Sequence, residues 1–136
     1  IQFIDGDLYI NNNQVVKTIK SSSDIIYCGN RSIPVNTFEE ILPDGKVHKS
    51  VYAQKYTFQN SDKFIVPSKH YFFLGDNRDC SKDSRYLASV GYVHETNLVG
   101  KAQIIFFSSD YKIGSILKFW KWNRSIRVNR FFKSIK

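Results

Sequence analysis

Asp5-Gly6 interrupts an alternation of apolar and polar residues, and this dipeptide narrows the fold more than any other short stretch of the chain. Asp-Gly readily takes up the positive φ of a tight hairpin turn, so IQFI before it and LYI after it are expected to pair as antiparallel strands. Asn11 to Asn13 form the next turn signal, ahead of QVVK. The pattern recurs in TFEEILPDGKVHKSVYAQKYTF, where Pro43-Asp44-Gly45 joins a fixed φ to a permissive glycine. KFIVPS and HYFFLG read as further strands parted by Pro67, and LVGKAQIIFFSS reads as a buried strand. A mainly β fold built of antiparallel sheets follows.

The C-terminal stretch has another character. Ile113, Ile116, Leu117 and Trp120 recur at helical spacing, and that register breaks near Trp122-Asn123. Charge divides at the same place. The formal net charge is +8, from 20 basic and 12 acidic residues. All 12 acidic residues precede Tyr111, whereas eight basic ones lie in 111–136, which leaves 12 of each sign in 1–110. A neutral domain thus carries a basic, aromatic tail. Such a tail suits an anionic lipid surface, with Trp120 and Trp122 at the interface, or the phosphates and bases of a nucleic acid.

Cys28 and Cys80 lie 52 positions apart and form no C-x-x-C pair. Two unlinked thiols are the favoured reading, with a structural disulfide as the alternative. No run of 18 apolar residues is present to span a bilayer.

The densest chemistry follows the aromatic strand. GDNRDCSKDSR, residues 75–85, sets Asp76, Asp79 and Asp83 among Arg78 and Arg85, so neighbouring charges can pair and stiffen a loop that presents Ser81 and Ser84. It is not an EF-hand, because Arg78, Ser81 and Leu87 stand where an oxygen ligand, a glycine and a glutamate are needed. His94-Glu95 lacks the second histidine of H-E-x-x-H, since Leu98 occupies its place. Neither a nucleophile elbow nor a glycine-rich phosphate loop occurs. No metal or cofactor is expected.

GDNRDCSKDSR closely resembles the GDNRDNSxDSR signature of the bacterial type I signal peptidases. The likeness continues through VGYV and NLVGKAQIIFFS, which is similar to the alphaproteobacterial branch, and upstream through IQFIDGDLYINNNQVV and TFEEILPDG. The resemblance implies a signal-peptidase-type catalytic β core, residues 1–20 and 67–136, with a small inserted β domain over 21–66. It implies a membrane-anchored serine endopeptidase that removes signal peptides from exported preproteins on the periplasmic face of the bacterial inner membrane. Its nucleophile would be a serine, and its general base a lysine kept neutral by desolvation.

Carried onto this chain, Ser81 would orient that lysine and Asp83 would brace the loop with Arg85. Asp76 would pair with the arginine after the lysine, and Gly75 would leave room for the lysine stem. The tail would then meet membrane lipid, with no nucleic acid partner. Two positions depart from the pattern: Cys80 replaces an asparagine, and Lys82 fills the variable place. The family's serine and lysine boxes are not found in these 136 residues. They are expected ahead of Ile1, so the chain reads as the C-terminal part of the enzyme and as inactive alone. The rival expectation is a non-enzymatic β module whose basic tail binds membrane or nucleic acid.

Overall fold

The computed structural model describes residues 1–55, 57–106, 108 and 126–134. Two compact units divide the chain, Ile1–Leu98 and Val99–Lys136.

In the first unit the N-terminal hairpins form as the turn residues dictate. β1 (Gln2–Ile4) pairs with β2 (Asp7–Ile10), which pairs with β3 (Asn13–Gln14), both antiparallel. Asp5 and Gly6 sit at φ 50° and 81°, and Asn11 and Asn12 at 52° and 65°, the left-handed values that two-residue hairpin turns require. Alternation then turns Phe3, Leu8 and Val15 inward as the buried core, with Ile1, Ile10, Leu42 and Leu74 packed around it.

β4 (Val16–Cys28), β5 (Arg31–Ile41) and β6 (Val47–Ala53) make a second antiparallel sheet in sequence order. Gly29 at φ 60° turns β4 into β5. Pro43-Asp44-Gly45 turns β5 into β6, with Gly45 at φ 79° donating its N–H to the Leu42 carbonyl at 2.8 Å. The serine run of β4 is irregular: its register against β5 shifts between Ile19 and Ser21 and again before Asp24. Serines that bond locally compete with the ladder, and bulges result.

The strand expected over KFIVPS does not form. Residues 59–64 instead run beside β1 through mixed bonds. Phe64 donates its N–H to the Ile1 carbonyl and Gly6 donates to the Gln59 carbonyl. Ser61 Oγ accepts from Phe3 N, and Asn60 Oδ1 accepts from Asp5 N. Short polar side chains thus take the places of ladder carbonyls. HYFFLG contributes only β7 (His70–Tyr71), paired with β8 (Val93–His94).

In the second unit the long strand expected over LVGKAQIIFFSS shrinks to β9 (Ile104–Ile105), antiparallel to β10 (Lys133–Ser134). Val99 and Phe106 are exposed, so this run is not the buried strand its composition suggests. Its only partner strand among the described residues is two residues long. Phe106 meets Phe132 edge-on at 6.1 Å. The helical pattern around Trp120, and Trp122 itself, lie outside the described residues.

Candidate active site

The Gly75–Arg85 loop is stiffened mostly by groups outside it. Its backbone is clipped to β6: Val51 donates its N–H to the Asp76 carbonyl at 2.8 Å, and Arg78 returns its own N–H to the Val51 carbonyl at 2.9 Å. The Asp79 carboxylate accepts from Ala53 N at 2.7 Å, Thr57 Oγ1 at 2.8 Å and Phe58 N at 2.8 Å. A single carboxylate thereby satisfies two backbone donors where β6 gives out.

Arg78 departs from the local pairing that the alternating charges suggested. Its side chain reaches into the sheet, pairs with Glu40 of β5, and donates from Nη1 to the Gly75 carbonyl at 2.9 Å. Glu40, only 1% exposed, also accepts from the Tyr52 hydroxyl at 2.7 Å. Burial pushes the Glu40 carboxyl up, but the hydrogen bonds from Arg78 and Tyr52 outweigh it and hold the pKa below the usual carboxylate range. Burial, and then the Glu40 carboxylate, drive the Tyr52 hydroxyl the other way, to a raised pKa.

Asp83 and Arg85 form the expected brace. Arg85 donates from Nε to Asp83 Oδ1 and from Nη2 to Oδ2, both at 2.8 Å, a bidentate pair whose side chains are each 6% exposed. Asp83 Oδ2 also accepts from Gly75 N at 2.9 Å. Burial raises the Asp83 pKa, and the bonds from Arg85 and Gly75 more than reverse it, so the net shift is downward. The Arg85 guanidinium lies over the rings of Phe3 and Phe58, 5.6 and 5.5 Å from their centroids. The brace is therefore fixed to the hydrophobic core. Ser84, fully buried, accepts from Phe73 N at 2.9 Å and donates its own N–H to the Phe73 carbonyl.

Ser81 rests directly on Gly75. A Cβ built on Gly75 would lie 1.9 Å from Ser81 Oγ and 2.2 Å from Ser81 Cβ, so any side chain at 75 collides with Ser81. The room that the glycine leaves is occupied here by Ser81. Asp76 is exposed, and its carboxylate accepts from Asn77 N at 2.9 Å. It borders a cavity of about 240 Å³ lined also by His48, Lys49, Phe72, Leu74 and Arg78. Phe72 and Leu74 supply apolar wall to this cavity, whereas Phe73 is 47% exposed. Lys82 points to solvent.

The reading of two free thiols is corrected: Cys28 and Cys80 form a disulfide with their Cα atoms 5.7 Å apart. Sequence spacing is blind to this, because the β4 tip and the loop are neighbours only once β4 to β6 are stacked in register. Glu40, Tyr52 and Asp79 are further residues of the site whose partners the sequence did not reveal. Glu40 and Tyr52 sit on paired strands that read as ordinary alternation, and Asp79 read as one more charge of the loop. Among the described residues no cluster of metal-ligating side chains occurs.

Comparisons with known proteins cover most of the chain. Residues 1–107 match the family described as signal peptidase, peptidase S26. The chain is similar to a protein named signal peptidase I from Rickettsia conorii, 38% identical over 150 residues that take in 99% of this chain and 54% of that protein. Proteins of the same name from Rickettsia prowazekii and Rickettsia bellii are each 38% identical over 152 residues, covering 54% and 50% of their own lengths. The chain thus spans about half the length of the curated relatives it matches. No solved structure matches it.

Proposed function

The chain belongs to the signal peptidase family, peptidase S26, and on that premise we propose that it supplies the bracing part of a signal peptidase active site. The complete enzyme removes signal peptides from exported preproteins. A serine hydroxyl attacks the scissile carbonyl, a neutral lysine amine takes its proton, and water later releases the acyl-enzyme. Neither that serine nor that lysine is assigned to any residue of these 136. The present residues orient and desolvate.

The observation that carries this reading is the contact of Ser81 with Gly75, held by Asp83 and Arg85 against the core. It places a small hydroxyl on a fixed backbone, as a group that must orient a lysine amine requires. Asp76, exposed at the start of the loop, suits the arginine that follows the lysine in the family pattern. Within this reading residues 1–20 and 67–136 belong to the catalytic core and 21–66 to the inserted domain. The β4–β6 sheet, hydrogen bonded separately from β1–β3, is the body of that inserted domain, although β4 already begins at Val16 and residues 59–64 return to β1. The reaction needs no cofactor.

Placement at the bacterial inner membrane, with the site on the periplasmic side, is supported by the disulfide, since such bonds persist in oxidising compartments. No helix among the described residues is long and apolar enough to cross a membrane. The basic tail, with Trp120 and Trp122, lies on anionic lipid in this reading and binds no nucleic acid. Each cation near an anionic leaflet contributes about 1 kcal/mol. Vesicle sedimentation checks it: the chain binds anionic vesicles and releases them with added salt. Tight binding to single-stranded nucleic acid instead would overturn the assignment of the tail.

For the site, the 136-residue chain leaves a signal-peptide substrate uncut. In the full-length protein, Ser81→Ala lowers kcat by about ten- to a thousandfold, the loss expected when a general base is no longer oriented. Cleavage by the 136-residue chain, or full turnover by Ser81→Ala, would overturn the proposal.

A further inference from the structure

Cys28 ends β4 just before its turn into β5, and Cys80 immediately precedes Ser81. Their disulfide therefore ties the β4 tip to the residue adjoining Ser81, across 52 positions of sequence. The other ties of the loop lie to either side of this point. Upstream are the Val51 clips, the Glu40–Arg78 pair and the Asp79 carboxylate, and downstream is the Asp83–Arg85 brace. Between them, Cys80 N and Ser81 N both donate to the Asn77 carbonyl, at 3.3 and 2.9 Å, and Cys80 N also to Asn77 Oδ1 at 3.2 Å, which ties these two amides only to Asn77 of the same loop. At that position the signature of the family carries an asparagine, an amide that this chain does without.

We propose that the Cys28–Cys80 disulfide is a positioning cross-link for Ser81, so that the site is fully competent only when the two cysteines are oxidised. This rests on the peptidase reading given above. Both cysteines are partly accessible, within reach of a small thiol. Reduction by dithiothreitol breaks the S–S bond. Each sulfur gains one electron and one proton, and the reagent's two thiols lose the same and close to a cyclic disulfide. The β4 tip then separates from the loop, and Ser81 loses the constraint that fixes its hydroxyl against the lysine.

Misplacement of an orienting group strikes turnover more than binding, so kcat falls about tenfold or more while KM stays within about twofold. A loosened loop also admits water beside the lysine and raises its pKa, which moves the acid limb of the pH–rate profile upward.

The test uses the full-length protein, oxidised, reduced with dithiothreitol, and reoxidised, beside Cys28→Ser and the Cys28→Ser/Cys80→Ser double variant. The expected result is loss of kcat and a shifted acid limb on reduction, recovery on reoxidation, and no response of the double variant to dithiothreitol. A reduced enzyme that melts lower yet keeps kcat and its acid limb would show the bond to be structural only, and would overturn the proposal. Hydrogen exchange on the 136-residue chain gives a readout that needs no activity. Reduction should strip protection from the amides of Cys80 and Ser81 while β1 and β2 keep theirs, and unchanged protection would also overturn it. If the oxidised full-length protein cleaves nothing, the peptidase reading fails, and the exchange data still decide what the disulfide holds.

Discussion

Removing Glu40 tests whether the loop is anchored through the sheet. Glu40 and Arg78 are 1% and 6% exposed, and Arg78 spends its other arm on the Gly75 carbonyl. Glu40→Ala leaves a guanidinium in the interior without its carboxylate and the Tyr52 hydroxyl without its acceptor. Breaking one side of a buried ion pair costs about 3–5 kcal/mol. For a chain of 136 residues that corresponds to about 3 °C in Tm per kcal/mol, a fall of roughly 10–15 °C. Glu40→Gln keeps the shape and an acceptor for Tyr52, so it should lose about half as much. Glu40→Gln combined with Arg78→Met removes both charges and should recover much of the loss, because a buried pair replaced as a unit is nearly neutral. Thermal unfolding of the three variants, followed by circular dichroism, is the assay. If Glu40→Ala loses under about 1 kcal/mol, Arg78 has found solvent or another partner, and the anchoring argument is wrong.

Gly75→Ala forces its new methyl into Ser81, and relieving that overlap should cost about 1–3 kcal/mol and most of the turnover of the full-length enzyme. Adding Ser81→Gly should restore the melting temperature but not the turnover; a Gly75→Ala enzyme like the parent in both would contradict the contact. In acid, Glu40 and Asp83 act together, because both have folded-state pKa values below their unfolded ones. Their contribution is complete above the unfolded values, about 4, and is lost as pH falls through the folded values. Urea midpoints should therefore hold from pH 7 to about 5 and drop below 4. Asp83→Asn should flatten part of that drop, and an unchanged slope in this variant would speak against the linkage.

Which features were legible in the sequence follows from how local their causes are. Asp5-Gly6, Asn11-Asn12 and Pro43-Asp44-Gly45 carry their turn geometry in their own φ preferences, so the three hairpins could be read directly. The Asp83–Arg85 pair was expected from the family resemblance, and being two residues apart it needs no distant element to form. KFIVPS failed because its backbone meets the first hairpin only at Phe64, bonded to Ile1, while the other bonds to that hairpin come from Gln59, Asn60 and Ser61 just before it. Apolar composition alone made LVGKAQIIFFSS look buried, and composition does not say what partner a strand will find. The disulfide and the Glu40–Arg78 pair join positions 52 and 38 apart. Their proximity is created by the pairing of β4, β5 and β6, which hydrophobic patterning does not specify residue by residue.

The loop is held from two sides, and the balance at Arg85 explains why charge is used on the downstream one. Desolvating a guanidinium costs several kcal/mol, so a buried arginine stabilises nothing unless its partners return that energy. Here the bidentate bond to Asp83 satisfies Nε and Nη2, while Phe3 and Phe58 offer their ring faces, each worth about 0.5–2 kcal/mol. On the carboxylate side, burial raises the Asp83 pKa, and the bonds from Arg85 and Gly75 N bring it below the usual range. An apolar residue at 85 could fill the same space, but it would leave Asp83 bonded only to backbone N–H groups and free to turn away from Gly75. With Arg85 in place, both carboxylate oxygens are committed, and Oδ2 keeps its bond to Gly75 N. The geometry of Gly75, and with it the seat of Ser81, is therefore set by the aromatic core formed where the first hairpin meets Phe58.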